Sequence, residues 1–124
     1  MNKFCAKIAF IALLFPAMAL GQDDRFYCSG TEPFWNAVLD HDKFTFKHSD
    51  KETAHFNVVN PLPFGNQSLD KMRLYVTKEV GTNKNAAFII QKQECSDGMS
   101  DHKYDYQTFI IYDTYAFFGC CMNK

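Results

Sequence analysis

From residue 22 onward the chain alternates short runs of β-branched and aromatic residues with clusters of turn formers, and no stretch keeps a helical period. Residues 25–29 predict a first strand and residues 34–39 a second. Residues 40–43 read as a hairpin turn into Phe44, Thr45 and Phe46, whose alternation with lysines marks a half-buried strand. Residues 54–59 continue as a strand. Residues 60–66 are then the longest irregular stretch, because Pro61 and Pro63 exclude a central strand. Residues 72–76 and 86–91 are strands around a turn at 81–85. The segment from Cys95 to Asp101 is so rich in capping and turn residues that it predicts a tight loop or one short helical turn near 96–102. Residues 107–112 and 115–121, about a turn at Asp113 and Thr114, close the pattern as a hairpin. About eight short strands at hairpin spacing predict a mostly β domain over residues 22–124, a single small antiparallel barrel or sandwich.

The first twenty residues follow a different rule. Lys3 and Lys7 precede an apolar core from Ile8 to Leu20, and Ala19 and Gly21 are the small residues that a signal peptidase needs for cleavage before Gln22. Residues 1–21 are thus read as a cleaved signal peptide, which places the product in the periplasm or outside the cell. A retained membrane anchor is the alternative, although Pro16 interrupts an apolar stretch already short for a bilayer. Lipid attachment needs a cysteine just after the apolar core, and Cys5 lies before it.

Cleavage removes two lysines and no acid, so the mature charge is 11 − 14 = −3. The lysines are interspersed with acids, which argues against a nucleic-acid partner. Aromatic content stays high: removing Phe4, Phe10 and Phe15 from 20 aromatics leaves 17 in 124 − 21 = 103 residues. That is a large apolar payload for a small domain. Cys28, Cys95, Cys120 and Cys121 survive cleavage, and an even count in an oxidising compartment points to disulfides. Cys120 and Cys121, as strand neighbours, face opposite ways. Two connectivities remain: Cys28 with Cys121 and Cys95 with Cys120, which is preferred, or the swapped pairing.

Four groups of residues carry candidate chemistry. Phe34 and Trp35 with Glu32 could form a stacking surface with one polar anchor, suited to a sugar or an apolar ligand; equally, Pro33 could open a strand and one aromatic fill the core. Asp97 and Asp101, with Ser96 and Ser100, could offer oxygens to a hard cation, but their spacing fits no EF-hand and more simply caps a turn. His102 with Ser96 or Ser100 supplies the residue types of a hydrolase without an elbow motif. Cys95, Met99, His102, Cys120, Cys121 and Met122 could take copper(I) only if the cysteines stayed reduced. Neither cofactor nor resident metal is expected, and no enzyme.

The strings Cys28-Ser29-Gly30-Thr31-Glu32-Pro33-Phe34-Trp35 and Cys95-Ser96-Asp97-Gly98-Met99-Ser100-Asp101, followed by Gly119-Cys120, resemble an uncharacterised family of small bacterial envelope proteins described as putative lipoproteins or membrane-protein-like. Where those relatives carry a Tyr-Pro-Tyr step, this chain has Tyr104-Asp105-Tyr106, and the lipid-attachment cysteine common among them is missing. The resemblance implies an envelope location, a small β fold and pairing of Cys95 with Cys120; it implies no activity. The sequence is therefore read as an exported, disulfide-stabilised binding or interaction module for a partner protein or a small apolar or glycan ligand. Residues 60–66 together with Glu32 to Trp35 are its expected rim. A hydrolase and a soft-metal protein are the alternatives.

Overall fold

A computed structural model describes residues 25–124, so the expected leader and the expected cleavage before Gln22 lie outside the described residues. Nine strands, β1 (Phe26–Gly30), β2 (Trp35–Leu39), β3 (Phe44–His48), β4 (Ala54–Phe56), β5 (Leu62–Pro63), β6 (Met72–Lys78), β7 (Asn85–Ser96), β8 (Lys103–Tyr112) and β9 (Tyr115–Asn123), make one sheet. Its order is β4-β3-β2-β1-β9-β8-β7-β6-β5, with every pair antiparallel. The predicted antiparallel β architecture holds. The strand that sequence reading did not anticipate is β5, where Pro63 is tolerated because it stands on the sheet edge and need not donate on its outer side.

The described residues contain no helix, which corrects the helical turn expected near 96–102. The carboxylate of Asp97 accepts the N–H groups of Met99 at 2.9 Å and Ser100 at 3.0 Å, and Gly98 takes φ +76°, so the segment folds as a side-chain-centred loop.

Alternation does the rest. β1 and β2 each bury every second residue, and the sheet curls into a half-barrel whose concave face collects Phe26, Leu39, Phe44, Phe46, Phe56, Phe88 and Ile110 in one cluster. Rings meet across the interior: Phe44 lies edge-on to Tyr75 at 5.2 Å, and Phe56 edge-on to Phe88 at 5.5 Å. The curl brings the outlying strand β4 back to the end of β6. There Asn57 N–H donates to the Lys78 carbonyl at 3.0 Å, and Val80 N–H to the His55 carbonyl at 2.8 Å. The Tyr112 hydroxyl donates to Glu79 at the same seam.

Trp35 needs two absent side chains. It is 4% exposed and packs on Phe46 and Phe117, and its indole occupies the space that a Cβ on Gly30 or Gly119 would claim. Arg73 is a charged residue on the concave face, 4% exposed; its guanidinium lies 4.9 Å from the centre of the Phe26 ring, and its Nε donates to the Leu69 carbonyl at 3.0 Å. Cys28 and Cys121, directly opposed on β1 and β9, are joined inside the curl with Cα atoms 4.0 Å apart. Cys95 and Cys120 are joined on the convex side with Cα atoms 5.6 Å apart, a bond that runs from β7 past β8 to β9. Both pairings are the preferred ones.

Because the Cys28–Cys121 bond closes a longer loop (separation 93) than Cys95–Cys120 (separation 25), chain entropy assigns them about 4.7 and about 3.5 kcal/mol respectively. Replacing Cys28 and Cys121 by serine is expected to lower the denaturant midpoint more than replacing Cys95 and Cys120, a ranking that equilibrium urea unfolding measures. Alkali should act at the seam. Burial, aided by the bond to Glu79, pushes the Tyr112 phenol up to about 12, so its stabilisation is complete below the ordinary phenol value of 10.0 and is lost as pH rises through 12. Thermal melts between pH 9 and 12 should show Tyr112→Phe losing less stability over that interval than the parent protein.

Candidate functional site

The Cys95–Cys120 bond decides where the 97–102 loop can lie. Cys120 is the register partner of Ser29 on β1, so a loop rooted at Cys95 is drawn over β8 and β9 to the end of β1. A shift in register between Lys92 and Cys95 supplies the slack that lets β7 bend there. In consequence two segments nearly seventy residues apart meet at one end of the half-barrel.

Between them runs an open groove of about 440 Å³. Gly30 and the edge of Trp35 form its floor, Phe34 and Met99 are its apolar walls, and Ser29, Thr31, Asn36, Ser49 and Asp97 supply hydroxyl, amide and carboxylate groups. The walls are open to solvent, with Phe34 59% and Met99 67% exposed. Phe34 is held by its backbone: its carbonyl accepts the Ser49 N–H at 2.8 Å, which ties the β1–β2 turn to the end of β3. Glu32, with φ 55°, forms the exposed tip of that turn. A smaller cleft of about 70 Å³ continues from Ser29, Gly30 and Thr31 past Asp97 to Phe118.

The loop wall is organised by Asp97. The N–H groups of Met99 and Ser100, followed by the hydroxyls of Ser100 and Tyr104, hold its carboxyl below the usual carboxylate range. The lone pairs that a cation would need are thereby engaged within the loop, and Asp101 stands exposed and does not line the groove.

Of the residues singled out in the sequence, Phe34, Trp35 and Asp97 come together. Trp35 is buried in the core and also lines the groove. The expected rim is corrected in two parts: the stretch 60–66 carries edge strand β5 and does not line the groove, and neither does Glu32, the expected polar anchor. The groups of the hydrolytic alternative do not assemble. The imidazole of His102 is edge-on to Tyr104 at 4.5 Å, and it is the His102 backbone N–H that reaches the Ser100 hydroxyl, at 3.3 Å. The soft-metal alternative loses Cys95, Cys120 and Cys121 to the two disulfides. Asp40, His41 and Asp42 bring three donors within 4.8 Å on an exposed turn, where the Arg25 Nε already lies 3.4 Å from Asp40.

Thr31, Asn36 and Ser49 were missed. Nothing in their spacing marks them, because the β1–β2 and β2–β3 register is what brings them to one end of the sheet. No family model, curated protein or solved structure matches the chain.

If Asp97 organises the wall, Asp97→Ala should release the amides of Met99 and Ser100 to fast hydrogen exchange while those of β8 and β9 keep their protection. The same loosening is expected in the parent protein on acidification, since a lowered carboxyl holds its order above the ordinary value of 3.8 and loses it as pH falls through the folded value. Amide exchange followed by NMR between pH 2 and 6 reads both effects.

Proposed function

We propose that the protein is an exported binding module of the cell envelope whose groove holds a glycan-like ligand. The observation that carries the reading is the composition of that groove: an exposed aromatic and an exposed thioether stand over a set of hydroxyls, an amide and a carboxylate. Sugar rings offer the matching chemistry, an apolar C–H face for Phe34 and hydroxyls for Thr31, Asn36, Ser49 and Asp97. A volume of about 440 Å³ suits a unit of one or two rings. Phe34 and Met99, being exposed already, lose no packing when a ligand covers them.

Export is supported by the leader-like first 21 residues and by the oxidised state of four cysteines, which an oxidising compartment maintains. The two motifs that resemble small bacterial envelope proteins are the same two that border the groove. Binding without turnover is favoured because His102 is engaged with Tyr104 and is not paired with a serine. A second reading, a partner protein inserting a side chain, is favoured by the smaller cleft that prolongs the groove to the exposed Phe118.

Trp35 is the only tryptophan in the chain and forms the groove floor, so its fluorescence reports occupancy directly. Titration with soluble neutral and N-acetylated oligosaccharides should give a saturable change, weakened at least tenfold by Phe34→Ala with an unchanged melting temperature. A fluorescence signal that never saturates, or one that Phe34→Ala leaves intact, would remove the glycan reading.

A further inference from the structure

The convex face of β5 to β9 carries a second feature, which meets the smaller cleft at Phe118. Register places Leu62, Leu74, Ile89, Phe109 and Phe118 in one row across five strands, and Val76, Ala87, Ile111 and Ala116 in the row beside it. All nine positions are apolar. On an ordinary half-solvated sheet the outward residues of such strands are polar. Here Leu62 is 51%, Val76 55%, Phe109 42%, Ile111 48% and Phe118 52% exposed. At roughly 200 Å² for each large side chain, half of it open, these five present on the order of 500 Å² of contiguous apolar surface. On one side the patch is bordered by Gln91 and Gln107, whose side chains hydrogen-bond to each other, and on the other by Lys78 and Asp113.

We propose that this face is the contact between two copies of the chain, packed about a two-fold axis through β6 to β9. The area argues for it. A standard interface covers about 800 Å² on each partner, and about 65% of a homodimer interface is apolar, which asks for about 520 Å² of apolar surface. The face supplies that amount, with polar residues where a rim belongs. Phe109 and Phe118, with ring centroids 5.1 Å apart, stand at the β8–β9 end of their row, and a two-fold axis between the rows sets them against Ile111 and Ala116 of the other copy. Because none of the nine positions is charged, added salt does not break the association. The dimer contact leaves the groove open at the end of the barrel, and it stands whether or not the groove takes a glycan.

The test is sedimentation velocity on the purified, oxidised protein from 1 to 200 µM, at low and high salt. Expected is a species of twice the monomer mass whose population rises with concentration and does not fall as salt is raised. Phe109→Lys, and in case a lysine there disturbs folding the milder Ile111→Thr, should weaken association at least tenfold with the disulfides and the melting temperature retained. A monomer throughout the range overturns the proposal, as does a dimer that both substitutions leave intact. Parallel flotation with vesicles of zwitterionic and anionic lipid separates a further occupant: a monomer that binds vesicles through Phe109 would assign the face to a lipid surface and not to a second copy.

Discussion

The joint between β1 and β9 is the contact through which most of the sheet is continuous. On one side of it stand β1 to β4, built from local hairpins, and on the other β9 back to β5, built the same way. The joint itself pairs residues almost a hundred positions apart, so it carries the largest loop-closure entropy in the fold, and the Cys28–Cys121 bond lies directly across it. Trp35 sits against the same joint, fitted over Gly30 of one strand and Gly119 of the other. A covalent tie and the packing of one large aromatic thus act on the same few residues. With the joint fixed, Cys120 is set opposite Ser29, the second disulfide can reach back to Cys95, and the groove has both of its walls.

The site is therefore a product of topology more than of local sequence. Each wall is a short local structure: one is a strand-to-strand turn held by a Ser49 N–H, the other a loop wound about one aspartate. What makes them a site is that the staple on the convex side lays the loop beside the turn. The convex face follows a different logic, since its apolar rows are produced by strand register alone and need no loop.

Much of the fold was legible because strand chemistry leaves a period-two trace and turns leave Gly, Asn, Asp and Pro. Eight strand regions could be located from that trace, and the disulfide pairs followed from the opposite orientation of Cys120 and Cys121 together with the motif resemblance. The ninth strand was hidden because a two-residue edge pairing has no period to read. The segment at 96–102 reads as either a tight loop or a helical turn for a chemical reason: Ser and Asp cap helices and also close side-chain turns with the same hydrogen bonds, and Gly98 tips the balance toward the loop. Phe34, Trp35 and Asp97 could be named from the sequence because they stand in dense motifs. Thr31, Asn36 and Ser49 could not, since a hydroxyl or an amide becomes part of a groove only through its neighbours in space. The burial of Arg73 was equally invisible, as it depends on the Phe26 ring and the Leu69 carbonyl being delivered to it by other parts of the chain.

The meeting of β4 with the end of β6 gives the barrel two unlike sides. Opposite the covalently tied joint, the curl is held by a few backbone hydrogen bonds around residues 55–57 and 78–80 and by the reach of Tyr112 to Glu79. Disulfides keep one side shut in any conformation the oxidised chain can adopt, whereas the other side is held without covalent bonds, by those hydrogen bonds and the packing of Phe56 on Phe88 and Tyr112. Local opening consequently has a direction: it starts where Phe56 meets Phe88 and Tyr112, admits water along that line, and turns about the β1–β9 joint as about a spine.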